Sequence, residues 1–176
     1  IGGLRFIDSL SFMPVALSDL VQNLKKSGGK FRHLKSQFKG LSRSQLELLM
    51  QKGIYPYDYM DGPERLEETV FPDIEHFSSS LHSSSIGGEL EKVPISNHDY
   101  EHGKLVFTEL KCQKMKDYHD LYLKTDILLL ADIYENFRET CMRYYTLDPA
   151  HYITAPSLSW DAMLKKTKVK IELLTD

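Results

Sequence analysis

A tyrosine and an aspartate four residues apart are the side chains best placed to share a ligand. Tyr122 and Asp126 lie in the segment KDYHDLYLKTDILLLADIYENFRETCMRYY, which contains neither glycine nor proline. Residues four apart on a helix lie one turn above each other, so both side chains would face the same side. A carboxylate among aliphatic residues loses its water and stays ionised when a cation or hydrogen-bond donors replace that water. The pair is therefore a candidate binding site.

Simpler interpretations of Asp126 remain open at this point. The carboxylate would also be stable on the solvated side of the helix, or paired with Lys124 or with a distant arginine. The Tyr-x3-Asp pattern by itself is common in this chain, because it occurs at Tyr57 with Asp61, Tyr122 with Asp126 and Tyr144 with Asp148. Only the middle pair lies in a run without proline or glycine, which favours it as the helical one.

One long helix over residues 116–145 is predicted to position that pair. Apolar residues recur in it at spacings of three and four, which indicates one buried face. Asp117 is predicted to cap the helix, because a short carboxylate accepts bonds from the unpaired N–H groups of the first turn. The predicted buried face consists of Leu121, Tyr122, Leu128, Leu129, Ile133, Phe137, Cys141 and Tyr144.

Composition restricts the class of protein. The chain has 176 residues, enough for one sizeable core, and its net charge of −3 argues against a free-standing basic nucleic-acid-binding protein. No apolar run approaches the ~18–20 residues that span a bilayer, so a soluble, intracellular protein without a membrane partner is expected. Cys112 and Cys141 form no metal-binding or disulfide pattern and favour a reducing compartment.

Shorter elements are predicted on both sides of the long helix. Apolar runs predict strands at residues 4–8 and 169–174. The Ser-rich and Gly-rich residues 78–97 are expected to form an exposed, mobile loop. Helical spacing predicts helices at residues 17–26 with Ser18 as cap, 44–52, 98–112 and 157–167, the last burying Leu158, Trp160, Met163 and Leu164.

A basic run offers a second kind of site. Residues 20–46 hold seven lysines and arginines and no acidic residue, with Phe31 and Phe38 between them. Such cations could follow a phosphate backbone while the rings stack on unpaired bases. A solvated loop that balances the acidic remainder is an equally weighted alternative. The candidate DNA contacts are Lys30, Arg32, Lys35 and Lys39.

Two histidines have a spacing that zinc sites use. His98 and His102 are four apart, but no general-base glutamate lies between them as in HExxH, and no third ligand accompanies them. Two polar residues on a wet helix face are therefore expected. The sequence contains no phosphate-cradling GxxxxGK loop and no dinucleotide fingerprint.

Several blocks of the sequence resemble one family. They are RFIDSLSFMP with a following DLVQNL, KGIYPYDYMD, DYHDLYLKTDILLLADIYENFRETC, LDPAHYITAPSLSWDAMLK and IELLTD. Together they resemble protein-primed family B DNA polymerases, which occur in phages, linear plasmids, viruses and self-synthesising transposons, and they are most similar to copies that mobile elements carry in animal genomes. The resemblance covers nearly the whole chain and is weakest at residues 78–97.

The resemblance implies an α/β fold that is mostly helical in this chain. It places residues 1–146 in the carboxyl-terminal part of a ribonuclease-H-like 3′–5′ exonuclease domain and residues 147–176 in a helical link to the polymerase palm. It implies templated nucleotidyl transfer with proofreading by a complete protein. The implied partners of that protein are DNA primer-template, deoxynucleoside triphosphates and a terminal priming protein.

The resemblance also assigns roles to three residues. Tyr122 and Asp126 match the third exonuclease motif, in which the aspartate binds a catalytic Mg²⁺ or Mn²⁺ and the tyrosine positions the attacking water or the scissile phosphate. Lys52, in KGIY, matches a lysine that the protein-primed group uses beside this site. Two metals ~3.5–4 Å apart stabilise the attacking and leaving oxygens, and carboxylates are the hard ligands that such ions take.

The other catalytic carboxylates of the family have no counterpart in this sequence. The resemblance places the first two exonuclease motifs before Ile1 and the palm motifs after Asp176, so both ends are expected to continue in a longer protein. A site that keeps one carboxylate of four cannot hold two metals, and the chain alone is expected neither to polymerise nor to degrade DNA. The alternative is a catalytically silent interaction or scaffold domain descended from such a polymerase.

Overall fold

Helices dominate the structure, a computed structural model that describes residues 6–78 and 93–172. This confirms the mostly helical prediction, and none of the helices in these ranges is long and apolar enough to cross a membrane. Short 3₁₀-helices occur at Ser9–Ser11, Pro63–Glu67, Ile74–Phe77 and Pro149–His151. The α-helices are α1 (Leu17–Lys26), α2 (Arg32–Gln37), α3 (Arg43–Leu49), α4 (Asn97–Glu109), α5 (Met115–Tyr145) and α6 (Ala155–Thr167).

The strand predictions are wrong for the residues that the structure describes. Residues 6–8 lead irregularly into the 3₁₀-helix Ser9–Ser11, and residues 169–172 are also irregular and exposed. A short apolar run becomes a strand only when a neighbouring strand pairs with its backbone, and no strand forms within the described ranges. The other positions of both runs, and residues 79–92 of the predicted loop, lie outside the described residues.

The helix predictions hold, with shifted ends. Helix α5 begins at Met115. The Asp117 carboxylate accepts the N–H groups of Gln113 and Lys114, which precede the helix, at 2.9 and 3.1 Å, so its predicted role as a cap for the first turn is wrong. The predicted Ser18 cap is wrong, because α1 begins at Leu17 without a side-chain cap.

Two further differences concern the shorter helices. Helix α3 starts earlier than predicted, because Ser42 and Gln45 form a reciprocal capping box. Helix α2 was not predicted at all and lies inside the basic run. Helix α2 was missed because its six residues are fewer than the pattern needed to recognise a helix from spacing alone.

Backbone contacts divide the chain into two compact units. The first unit combines the residues up to Lys30 with those from Ala131 onward, and the second comprises Phe31–Leu130. Helix α5 therefore contributes residues 115–130 to the second unit and 131–145 to the first. The predicted boundary between residues 146 and 147 stays a prediction.

The core of the first unit is a cluster of Phe12, Cys141 and Leu158. Tyr144 was predicted to join the buried face of α5 but is 61% exposed. In α6, Leu158 is buried as predicted, whereas Trp160 and Met163 are not. Helical spacing therefore identified the buried face of each helix but assigned too many residues to it.

The core of the second unit is aromatic. The Phe71 ring stacks on Phe77 at 5.1 Å and meets Tyr118 edge-on at 5.2 Å. On α4, a Cβ added at Gly103 would lie 2.7 Å from Ile54, so the segment after α3 rests directly on the backbone of α4. This close contact holds the segment that carries Lys52.

Candidate functional site

The segment that follows α3 is irregular, and three contacts fix its path. The Tyr118 hydroxyl donates to the Ile54 carbonyl at 2.7 Å. The Tyr55 hydroxyl and His119 Nδ1 share a hydrogen bond of 2.6 Å, and Pro56 is fully buried. Because Tyr118 and His119 both belong to α5, the segment is attached to that helix two and three residues after Lys52.

Lys52, Tyr122 and Asp126 meet at one point of the second unit. Lys52 Nζ lies 3.1 Å from Tyr122 Oη and 3.3 Å from Asp126 Oδ2. The Lys52 and Asp126 side chains are 27% and 22% exposed, so a ligand can reach this ion pair while water only partly screens it. The structure thus brings together the three residues predicted for catalysis, and Lys52 is the cation beside Asp126.

Two tyrosines that the sequence analysis did not select complete the site. The Tyr55 ring stacks on the Tyr122 ring with centroids 4.9 Å apart. The hydroxyl of Tyr57 lies 2.5 Å from that of Tyr122, and Tyr57 is 40% exposed. The signal in the sequence is their close spacing after Lys52, but nothing local shows that they contact a helix about 65 residues later. We define the site by Lys52, Tyr55, Tyr57, Tyr122 and Asp126.

The electrostatics of the site keep the Tyr122 phenol protonated. Burial is the largest cause that raises the pKa of Tyr122, followed by its hydrogen bond with Tyr57 and the negative charge of Asp126. Burial likewise raises the pKa of Tyr55, with a smaller contribution from Tyr57. At neutral pH Tyr122 therefore acts as a hydrogen-bonding group and not as a base.

One oxygen of the Asp126 carboxylate lacks a hydrogen-bond donor among the described residues. Oδ2 pairs with Lys52, whereas Oδ1 is buried and has no hydrogen-bond partner among the described residues. A buried acceptor without a donor costs about 1–3 kcal/mol. A ligand or water that donates to Oδ1 would recover part of that free energy.

Close contacts hold the Tyr122 ring in place. A Cβ at Gly53 would lie 3.2 Å from the ring, so the absence of a side chain allows the ring to lie against the backbone. A cavity of about 20 Å³ lies beside it and is lined in part by Thr125, whose buried hydroxyl has no partner within the described ranges. That space is enough for one water molecule.

The described residues do not by themselves fit a magnesium ion. Among them, no three or more His, Cys, Asp and Glu side chains come together in a group that could hold a metal. Asp126 offers one oxygen, and the Lys52 ammonium close to its other oxygen repels a second cation. A metal at this place would need further carboxylates.

The candidate DNA contacts of the basic run are all exposed. Lys30 belongs to the first unit, where its backbone pairs with the Asn136 side chain at 2.9 and 3.3 Å. Arg32 and Lys35 lie on α2 and Lys39 follows it, all in the second unit. The structure therefore does not group these four residues in one unit.

Comparisons with protein-family models, curated proteins and solved structures find no match to this chain.

Proposed function

We propose that the chain is part of a DNA-directed DNA polymerase of the protein-primed family B group. In this proposal it comprises the later part of the 3′–5′ exonuclease region and the start of the polymerase region. One observation supports the proposal. Lys52 Nζ lies 3.1 Å from Tyr122 Oη and 3.3 Å from Asp126 Oδ2, although 70 or more residues separate Lys52 from either partner. All three residues had been selected from the sequence.

The proposal also assigns the fold and the partners. The described helices would be the helical part of a ribonuclease-H-like α/β domain whose strands come from elsewhere in a longer polypeptide. That polypeptide would bind DNA primer-template and deoxynucleoside triphosphates, and a terminal protein would supply the priming hydroxyl. Lys30, Arg32, Lys35 and Lys39 would contribute contacts to DNA phosphates.

The groups of the site match the 3′ end of a DNA strand. The Lys52 ammonium would bind a non-bridging oxygen of the terminal phosphodiester. The protonated Tyr122 phenol would donate to the same phosphate or orient a water molecule, and Asp126 Oδ1 would accept from that water. The described residues do not by themselves fit a magnesium ion, so a metal at this place would depend on carboxylates from the longer polypeptide.

The test is 3′–5′ degradation of 5′-labelled single-stranded DNA, with magnesium, by the longer polypeptide that contains this chain. Tyr122→Phe should lower the rate by roughly a hundredfold, the usual loss when one donor to the reacting group is removed. Asp126→Asn should lower it at least as much. Asp120→Asn and Tyr144→Phe are matched controls, because both residues are exposed on α5 outside the site, and they should keep full activity.

Two results would contradict the proposal. Magnesium-dependent exonuclease activity in the purified 176-residue chain would show that the site needs no further carboxylates. A longer polypeptide that neither degrades nor extends DNA would instead support the alternative of a silent interaction or scaffold domain.

A further inference from the structure

The outer face of α6 exposes the only tryptophan of the chain. Trp160 is 54% exposed and Met163 is 42% exposed, while Leu158 and Ala162 of the same helix are buried. Trp160, Met163 and Lys166 follow one another at spacings of three, so they form a row along the helix surface. Burial of an indole stabilises a folded protein, and the exposed indole of Trp160 does not contribute this stabilisation. Its exposure therefore requires an explanation.

The end of α6 is strongly basic. Lys165, Lys166, Lys168 and Lys170 are all exposed, and no acidic residue lies among residues 165–170. The Lys165 ammonium donates a hydrogen bond to the Thr146 carbonyl at 3.0 Å. This lysine therefore already has a partner within the first unit. The favourable interaction of cations with a helix carboxyl terminus explains one or two of these lysines, but it does not explain an exposed indole beside them.

The acidic residue of α6 is Asp161, which follows Trp160 in the sequence. Asp161 Oδ2 accepts a hydrogen bond from the Tyr152 hydroxyl at 2.8 Å. The next acidic residue along the chain is Glu172, beyond the last of these lysines. Asp161 keeps its negative charge, but Lys165, Lys166, Lys168 and Lys170 outnumber it, so the carboxyl-terminal end of α6 carries a net positive charge beside the exposed indole.

We propose that Trp160, Met163, Lys166, Lys168 and Lys170 form a binding surface for single-stranded DNA. The indole stacks on a base, Met163 contacts the same base, and the lysines bind phosphates on either side. An exposed aromatic ring beside lysines suits single-stranded DNA, because each nucleotide has a base that can stack on the ring and a phosphate that can bind a lysine. A membrane surface would need a wider apolar face than the two exposed apolar side chains of α6.

This inference rests on the proposed function, because it supplies a contact for the strand that a DNA polymerase handles. It requires no strand end, however, whereas the site around Lys52 is proposed to bind a 3′ terminus. Circular single-stranded DNA therefore tests the α6 surface without involving that site.

The experiment is a titration of the 176-residue chain with circular single-stranded DNA while the fluorescence of Trp160 is recorded. Stacking should quench the emission in a saturable manner, and the affinity should fall as salt rises. In a binding assay on labelled DNA, Trp160→Ala should weaken binding roughly tenfold, and Trp160→Phe should restore most of the loss.

The lysine variants test the phosphate contacts. Lys166→Gln or Lys170→Gln should each lower the slope of log affinity against log salt by about 0.7, the value for one phosphate contact on a single strand. Lys104→Gln, an exposed lysine on α4, is the control and should leave the slope unchanged. Circular DNA offers no 3′ terminus to the site around Lys52, so failure of this inference is distinct from failure of the proposed function.

Several outcomes would overturn the inference. They are the absence of quenching, equal binding by Trp160→Ala, or equal quenching by heparin, which carries charge without bases. A shift of Trp160 emission with anionic vesicles but not with DNA would assign the surface to a membrane and would also overturn it.

Discussion

Asp126 and Asp148 each follow a tyrosine by four residues, but their surroundings differ. Asp148 accepts two bonds from the Arg138 guanidinium, at 2.9 and 2.6 Å, and its Oδ1 also accepts the N–H of Ala150 at 2.9 Å. Arg138 holds the pKa of Asp148 well below its usual range, at about 2. Asp126 has one bond at 3.3 Å to Lys52 and a buried oxygen without a partner among the described residues.

The difference shows what each carboxylate contributes. Every oxygen of Asp148 is paired, and a bidentate ion pair of this kind stabilises the folded chain. An incompletely paired carboxylate such as Asp126 adds little stability and leaves a position open for a ligand. The tyrosines differ in the same way, because Tyr144 is exposed whereas Tyr122 contacts Lys52 and Tyr57.

The largest expected difference is in stability. Asp148→Asn should lower the free energy of unfolding by about 1–3 kcal/mol, because an amide removes the charge and one acceptor from the Arg138 pair. Asp126→Asn should cost less, about 0.2–1 kcal/mol, since it breaks a single, partly exposed contact with Lys52. Urea denaturation of both variants measures the free energy of unfolding. Equal losses of that free energy would show that the two aspartates contribute equally to stability.

The pH dependence of stability should carry the signature of Asp148. Its folded-state pKa is depressed, so its contribution is complete above the unfolded pKa near 4 and is lost as pH falls towards 2. The difference in unfolding free energy between the wild-type chain and Asp148→Asn should therefore shrink by roughly 1–2 kcal/mol between pH 5 and pH 2. A difference that stays constant over this range would show that Asp148 is not the titrating group.

A smaller effect is expected where Tyr122 lies against the backbone. Gly53→Ala places a Cβ 3.2 Å from the ring and should cost about 0.5–1.5 kcal/mol while displacing Tyr122 from Lys52. Gly40→Ala is the matched control, because a Cβ there meets nothing within 4 Å. Denaturation measures the cost, and equal stability of the two variants would show that the ring does not depend on Gly53.

The smallest effect concerns Tyr57. Tyr57→Phe removes the hydroxyl that bonds to Tyr122 and should cost less than about 1 kcal/mol, because Tyr57 is partly exposed. It should also lower the pKa of Tyr122 while leaving it above the usual range, because burial is the larger cause. The chemical shift of the Tyr122 ζ-carbon in tyrosine-selective NMR at neutral pH reports this hydrogen bond, and an unchanged shift in Tyr57→Phe would contradict it.

The sequence predicted the long helix and the pair on it because both depend on local periodicity. The resemblance added Lys52, whose contact with Asp126 spans 74 residues and has no local signal. Tyr55 and Tyr57 were missed for the same reason. The strand predictions failed within the described ranges, since a strand depends on pairing partners that a short apolar run does not specify. Trp160 was predicted to be buried because tryptophan is large and apolar, but its position on α6 leaves it exposed.

The most direct test compares the same two aspartates in the longer polypeptide that contains this chain. Rates of 3′–5′ degradation and free energies of unfolding are measured for Asp126→Asn and Asp148→Asn at a temperature where both remain folded. The account predicts that Asp126→Asn loses activity and keeps its stability, while Asp148→Asn loses stability and keeps its activity. Full exonuclease activity in a folded Asp126→Asn polypeptide would contradict it.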